Sequence, residues 1–361
     1  MAQLNIHSDR IIENINTISN FMEQNARQWS LVVKVLGNDK TVLSRLLLDP
    51  AIRRTHSVAA SHWKTLKVVK EIDPTLRTMF IKPPTSRNAM QIVRYADISF
   101  NTTMSTIQAL DAAAAKQGKQ HEVIVMIEMG ELREGIKREG LIPFYKRIFK
   151  FPNVKVIGIG TNLGCMYGIK PTYDKLIQLV LYEQLIEAKF KQNLELVSGA
   201  SSITLPLLEK GKIPIGVNHF RIGEAAFLGT SPLNNQPVLD LNTNAFTFDA
   251  NILELYRKDS QPDGIRSEGA VGHTPEFEEQ TEERSSSFKA VVDFGILDVD
   301  ADYLLPEDEN VVFFGNSSDL TVYDLGDNPH HYKTGDMLRF KLKYLAVAKL
   351  MYSRFVEKVI Q

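Results

Sequence analysis

Eight short apolar runs, each followed by a segment with helical spacing, fill the first two-thirds of this chain. The runs are "LVVKV" (31–35), "THSVAAS" (55–61), "TMFIK" (78–82), "ADISF" (96–100), "EVIVMIEM" (122–129), "VKVIGIG" (154–160), "LELVSG" (194–199) and "HFRIG" (219–223). They are rich in β-branched residues, as buried parallel strands are. Between them lie stripes such as "SHWKTLKVVKEI", "TMSTIQALDAAAAKQ" and "YDKLIQLVLYEQLIEAKF", whose apolar residues recur at helical spacing. An opening helix, "SDRIIENINTISNFMEQ", places Ile11, Ile12, Ile15, Ile18, Phe21 and Met22 on one stripe, with Ser8 as its N-cap. Alternating strand and helix predicts a parallel sheet covered by helices. Eight repeats predict an α/β fold closed into a (β/α)8 TIM barrel rather than an open doubly wound sheet. No Gly-x-Gly-x-x-Gly follows the first run and no Gly-x-x-x-x-Gly-Lys is present, which argues against dinucleotide and P-loop chemistry.

After about residue 233 the texture changes. "SPLNNQPVLDLNTNAF" is turn-rich, and short strands follow: "FTFDANILELY", "SSFKAVVDFG", "NVVFFG", "DLTVYDL" and "DMLRFKLKYLAV". This predicts a barrel over 1–233 and a C-terminal β domain over 234–361. The polar stretch "KDSQPDGIRSEGAVGHTPEFEEQTEERSSS" between the first two of these strands reads as a long loop. The formal net charge of −1 offers no whole-chain attraction to nucleic acid or an anionic membrane. No run is long and apolar enough to span a bilayer, and the N-terminal residues lack the pattern of a secretory signal. The single cysteine, Cys165, permits no intrachain disulfide and points to a reducing, cytoplasmic setting; it reads as a buried structural thiol.

In a (β/α)8 barrel the chemistry sits at the C-terminal ends of the strands. There stand Lys34 after the first run, Arg133 in "MGELREG" after the fifth, Thr161 and Asn162 after the sixth, Ser198, Ser201 and Ser202 in "SGASS" after the seventh, and Arg221 and Gly223 in the eighth. Each has a plainer reading: Lys34 as a solvated lysine leaving the core, Arg133 as a loop charge, Asn162 as a turn cap, Ser201 or Ser202 as an N-cap, Arg221 as the ion-pair partner of Glu224. Together they form a pattern. Small hydroxyl residues at a strand-to-helix turn suit a phosphate. A lysine amine, a phosphate cradle and an arginine for a ring nitrogen are what a pyridoxal 5'-phosphate enzyme requires.

The stretches "LVVK", "ADISFNT", "MGELREGI", "GIGTNLGC", "LVSGASS" and "FRIGEAAFLG" occur in the order seen in the alanine racemase-like, fold type III pyridoxal phosphate enzymes. The chain resembles that family over nearly its whole length, and within it the ornithine racemase-like amino acid racemases. The resemblance implies roles. Lys34 matches the Schiff-base lysine. Arg133 matches the arginine that orients the substrate carboxylate and the cofactor's phenolic oxygen. Asn162 falls where alanine racemases carry a histidine against the cofactor ring. Ser201 and Ser202 match the phosphate-binding pair, with Ser198 beside them in the same cofactor-binding segment. Arg221 matches the arginine on the pyridine nitrogen, Gly223 offers a backbone N–H to the phosphate, and Tyr344 matches a C-terminal-domain tyrosine that reaches the phosphate. A homodimer with shared active sites is implied too. Arginine does not readily release its proton, so the ring nitrogen opposite Arg221 should stay unprotonated. Such a cofactor is a modest electron sink, suited to reversible proton exchange at Cα.

The departures bear on substrate and reaction. The partner-subunit tyrosine of alanine racemases falls near Val271, and no tyrosine lies between Tyr256 and Tyr303. His273 is the candidate for the second base. The family's carbamylated lysine falls at Met126, and Asn38 replaces an aromatic residue. The expectation is a racemase of a free amino acid other than alanine, with ornithine or another basic amino acid as the candidate. The acidic run Glu276, Glu278, Glu279 offers a receiver for a side-chain cation. An amino acid decarboxylase, a D-amino acid lyase or a non-catalytic pyridoxal phosphate carrier of the same fold are the alternatives. A metal-dependent lyase should pair His with Cys in the C-terminal domain; here His330 and His331 are adjacent and the cysteine lies in the barrel, so no metal is expected.

Overall fold

The protein was analysed as a computed structural model, which describes residues 1–264, Gly272 and residues 286–361. The described residues form two compact units: Asp9–Thr243, and Met1–Ser8 together with Asn244–Gln361. Strand β1 (Gln3–Ile6) opens the chain and belongs to the smaller unit. The sequence reading did not register it, because its four residues are too few to show a period. Helix α1 (Ser8–Gln24) follows and buries Ile11, Ile15, Ile18 and Met22.

In the larger unit the strands are β2 (Gln28–Val32), β3 (Ser57–Ala60), β4 (Thr78–Phe80), β5 (Ile98–Asn101), β6 (His121–Met126), β7 (Val154–Gly160), β8 (Leu196–Ser198), β9 (Ala200–Ser201) and β10 (His219–Ile222). They pair in parallel in the order β8-β7-β6-β5-β4-β3-β2-β10-β9. The two ends of that order are halves of one strand. Before Gly199 it bonds to β7; after Gly199 it bonds to β10. Chain continuity thus completes the ring, and the expected barrel is present. The intervals carry α2 (Lys40–Leu47), α3 (Trp63–Ile72), α4 (Ala89–Tyr95), α5 (Met104–Lys116), α6 (Leu141–Ile148), α7 (Tyr173–Phe190) and α8 (Leu205–Glu209). Helix α9 (Glu224–Leu228) and a two-residue ribbon, β11 (Thr230–Ser231) with β12 (Gln236–Pro237), end the unit. No helix among the described residues is long and apolar enough to cross a membrane.

Val32, Ala59, Met79, Ile98, Phe100, Ile124, Met126, Ile157 and Leu196 form one buried cluster. It draws on seven strand segments, β2 to β8, which is possible only for side chains that fill the barrel. Towards the N-terminal ends of the strands the filling turns polar. The His219 ring lies 2.9 Å from Ser198 Oγ and 2.8 Å from Ser30 Oγ, which is itself 2.8 Å from Ser57 Oγ. His56 meets His219 edge-on, with centroids 5.1 Å apart, and its Nε2 is 2.7 Å from Arg77 Nη1. Separately, His121, 2 % exposed, pairs with Ser99 Oγ at 2.8 Å.

The smaller unit is built on β13 (Phe246–Asp259), β14 (Ser286–Val292), β15 (Leu304–Pro306), β16 (Val312–Asn316), β17 (Thr321–Asp324) and β18 (Met337–Leu342), in the order β15-β18-β13-β14-β17-β16. β1 adds antiparallel to β13 and parallel to β19 (Glu357–Ile360). Phe248, Phe294, Tyr323 and Phe340 pack together at its centre. The run "DMLRFKLKYLAV" is not one strand. Alternating burial of Leu338 and Phe340 ends at Leu342, and α10 (Tyr344–Tyr352) then buries Ala346, Val347, Leu350 and Met351 at helical spacing. The change of period inside one apolar run marks the boundary.

Burial lowers the pKa of all three of these histidines: to about 4 for His121 and for His56, where Arg77 adds to the effect, and well below its ordinary value for His219. Each is therefore neutral in the folded state, while the unfolded chain takes up a proton near pH 6.5. Stability is full above that pH and falls as pH drops towards 4, by about 3 kcal/mol for His121 alone. Guanidinium unfolding at pH 7.5 and 4.5 should show this loss, and His121→Gln should reduce it. An equal pH dependence in parent and variant would count against a neutral His121.

Candidate active site

The sequence puts Lys34 at the end of a buried strand, and the structure shows how it leaves. β2 stops at Val32, Val33 (φ −86°, ψ 12°) turns the chain, and Lys34 opens a single 3₁₀ turn, Lys34–Leu36, closed by Gly37 at φ +59°. Val33, Val35 and Leu36 are buried while Lys34 is exposed, so the turn is anchored and its lysine projects. Asp39 then caps α2, accepting the N–H groups of Thr41 and Val42 at 3.0 Å each. The Lys34 amine is open to solvent yet ringed by protein. Burial lowers its pKa; Arg133 and Arg221 lower it further, while Cys165 and Glu224 oppose them. An amine that releases its proton more readily is more often in the neutral form that can act as nucleophile or base. β10, which carries Arg221, is bonded to β2, and Arg133 meets Cys165 beyond the ends of β6 and β7.

Arg221 on β10 is 9 % exposed. Its Nη2 donates to Thr161 O at 2.5 Å and its guanidinium lies over the Phe100 ring, 4.9 Å from the centroid. Nε is buried without a partner. Burial brings the pKa down to about 10, which leaves the group charged at neutral pH. Glu224 is pushed up to about 7 by burial, opposed by Lys34 and the Thr230 hydroxyl. The carboxylate thus answers to Lys34. Gly223 brings the ends of β10 and β2 together: a Cβ there would lie 3.2 Å from Val32 O and Val32 Cβ.

Ser202 Oγ accepts the N–H groups of Gly223 and Ala225 at 3.2 Å each, and Ser202 O accepts from Ser231 Oγ at 3.1 Å. Ser201 N donates to Thr204 Oγ1, whose hydroxyl returns a bond to Ser201 O. These residues therefore meet at one turn. Ser198 does not join them. It lies before the Gly199 switch and turns into the barrel towards His219, fully buried.

Arg133 stands in the loop after β6. Its side chain pairs with Glu134, which is the main cause of its raised pKa, and its Nη1 donates to Cys165 Sγ at 2.7 Å. Cys165 is exposed, so the expectation of a buried thiol is corrected. The reason lies in Glu131, a residue the sequence reading passed over. Glu131 is only 2 % exposed, sealed under the loop that it organises. Its carboxylate accepts five backbone N–H groups, those of Gly164, Cys165, Met166, Tyr167 and Ile169, at 2.7–3.2 Å. Burial raises its pKa, but these bonds outweigh burial and the net shift is downward. An acidic residue directly after Gly130, in a turn closed by Gly135, was the available signal. Asn162, at the base of this loop, has a buried Nδ2 without a partner.

Tyr344 is the first residue of α10 in the smaller unit. His273, Val271 and Glu276, Glu278 and Glu279 lie outside the described residues. Met126 is buried in the barrel filling, and Asn38 Oδ1 accepts from Thr65 Oγ1 at 2.6 Å. A recess of about 640 Å³ in the smaller unit is lined by Asp249, Asp308, His330, Tyr332 and Arg339. Within it Arg339 makes a two-bond pair with Asp249, and the Tyr332 hydroxyl donates to Asp308.

The residues at the barrel mouth fit a flat anionic cofactor. Lys34, Arg133 and Arg221 supply three cations, Arg221 Nε and Asn162 Nδ2 are buried donors without partners, and Asn101 Oδ1 is a buried acceptor without one. Unpartnered buried polar atoms are costly, and a ligand with matching groups removes the cost.

The fold and the mouth define a class, and comparison with known proteins agrees with it. A family model described as the alanine racemase N-terminal domain matches residues 6–232, and the chain belongs to that family. It is 30% identical over 357 residues to an ornithine racemase of Acetoanaerobium sticklandii, covering 99% of this chain and 98% of that protein. It is 33% identical over 286 residues to a lysine racemase of Thermotoga maritima, covering 78% of each. Among solved structures, alanine racemase from Bartonella henselae with covalently bound pyridoxal phosphate superposes with a TM-score of 0.73 at 16% identity, covering 100% of this chain and 99% of that one.

Removing the Glu131 carboxylate should release the loop that carries Asn162 and Cys165. Glu131→Ala leaves five N–H groups without their acceptor and is expected to cost about 3 kcal/mol. Amide hydrogen exchange should speed up at Gly164, Cys165, Met166, Tyr167 and Ile169 before it does elsewhere. Unchanged exchange in that segment would mean the loop holds its shape by other contacts. Because the carboxylate's pKa is depressed on folding, its contribution is present above the ordinary carboxylate range and is lost as pH falls through the lowered value.

Proposed function

We propose that this protein is a pyridoxal phosphate-dependent racemase of a free basic amino acid, with ornithine and lysine the leading candidates. The observation that carries this reading is the gathering of Lys34, Arg133 and Arg221 at one barrel mouth beside unpartnered buried donors. The basic substrate rests on the relatives' names, ornithine racemase and lysine racemase.

In this reading Lys34 Nζ holds the cofactor through its aldehyde carbon and moves the proton on one side of Cα. When bound, the cofactor supplies a sink for the electron pair left on Cα. Ser201, Ser202 and the Gly223 N–H would hold its phosphate. Arg221 directs a charged donor at the ring nitrogen and keeps that nitrogen unprotonated, while Asn162 meets the ring. Arg133 binds the substrate carboxylate, with Glu134 fixing the guanidinium. The cytoplasm is the setting, and the working form is a homodimer with shared active sites; a monomer by analytical ultracentrifugation of the active enzyme would count against the sharing.

The test uses holoenzyme and a panel of L-amino acids in deuterium oxide, with Cα deuterium and enantiomer read by chiral mass spectrometry. Ornithine or lysine should yield deuterated D-product. Lys34→Ala should lower the rate by at least about 100-fold, the scale of a lost general acid–base group. Deuterium uptake without inversion of any substrate would instead favour a lyase or decarboxylase.

A further inference from the structure

Racemisation requires a proton to leave one side of Cα and another to arrive at the opposite side. Lys34 accounts for one of them. The ring order shows what lies across the mouth. Counting either way round the barrel from β2, which carries Lys34, the fourth neighbour is β6. The loop after β6 carries Arg133, and the loop after the adjacent β7 carries Cys165. We propose that the Cys165 thiol transfers the proton on the side of Cα opposite Lys34, an inference that rests on the racemase reading above.

Geometry supports it at three points. Cys165 Sγ is 2.7 Å from Arg133 Nη1, the guanidinium assigned to the substrate carboxylate. Cα is bonded to that carboxylate, so a group touching Arg133 lies within reach of Cα. Next, the thiol is exposed, and its backbone is pinned by Glu131 Oε1 at 3.2 Å. Finally, the ligand position is marked independently of the thiol. Arg221, nine-tenths buried, keeps a partnerless Nε and stands on β10, the strand bonded to β2.

The step balances. In one direction the Cα–H bond breaks and its proton passes to Lys34 Nζ. The S–H bond of Cys165 then breaks, and its proton forms the new Cα–H bond with the electron pair left on Cα. Lys34 ends as the ammonium and Cys165 as the thiolate; exchange with solvent resets both. The reverse direction uses the same groups with their roles exchanged.

The experiment compares wild type, Cys165→Ala, Cys165→Ser and His273→Ala as holoenzymes acting on lysine and ornithine in deuterium oxide. In Cys165→Ala, inversion should fall at least about 100-fold, while Lys34 still exchanges the Cα hydrogen of one enantiomer. A second readout does not depend on turnover. Iodoacetamide alkylation of wild-type Cys165, followed by peptide mass spectrometry, should slow about tenfold with pyridoxal phosphate and lysine each present at about ten times its Kd. Should Cys165→Ala fail to fold, Cys165→Ser and the alkylation rates decide. Wild-type inversion rates in Cys165→Ala, or unchanged alkylation with ligands, would overturn the role. So would inversion lost in His273→Ala but kept in Cys165→Ala. A wild type that inverts no amino acid overturns the racemase reading itself, whereas inversion surviving without the thiol overturns only the thiol.

Discussion

Leu196–Ser201 is hydrogen-bonded to β7 before Gly199 and to β10 after it, and closure of the parallel sheet hangs on that switch. An open sheet would leave Arg221 and the loop of Cys165 on distant edges. Closure brings the Cys165 loop round to Lys34, whose strand is bonded to that of Arg221 in any case, and packs Phe100 beneath the Arg221 guanidinium. It also places like charges together. Glu134 and Glu224 answer Arg133 and Lys34 in part, and an anionic ligand would meet the demand that the buried Arg221 guanidinium leaves. The unpartnered donors on Arg221 and Asn162 add to that demand.

The site is supported in two different ways. On one side, buried contacts fix it: Val33, Val35 and Leu36 anchor the turn of Lys34, and Gly223 lies against Val32 where a Cβ would be crowded. On the other, a single carboxylate organises a loop that has little apolar packing of its own. Glu131 gathers five N–H groups that the irregular chain from Gly164 to Ile169 leaves without strand or helix partners. The polar floor of the barrel, from His219 through Ser30 to Ser57, sets a further boundary. Its groups satisfy one another and stay neutral, which leaves the charged chemistry at the other end.

Much of this was legible in the residues. Eight apolar runs separated by helical stripes announce a barrel, and the rule that chemistry collects at strand ends picks out Lys34, Arg133, Asn162 and Arg221 without any coordinates. Other features were not legible. β1 is four residues long and pairs with strands hundreds of positions away. Glu131 looks like any loop acid until the chain from Gly164 to Ile169 folds over it. Cys165 reads as a buried thiol because isolated cysteines usually are, yet that loop turns it outward. Ser198 and Ser201 share one short motif but point to different places, since the break at Gly199 changes the partner strand between them.

By itself, then, the sequence determined the alternation of strand and helix through the barrel and the residue types near the strand ends, and hence the fold class. Those depend on local periodicity and on residue types at strand termini, both carried within a few residues. Only the tertiary structure decided which strand-end groups face one another, which carboxylate is structural, and that the Cys165 thiol meets Arg133. These outcomes depend on ring closure and on contacts between residues far apart in the chain, where no local pattern records them.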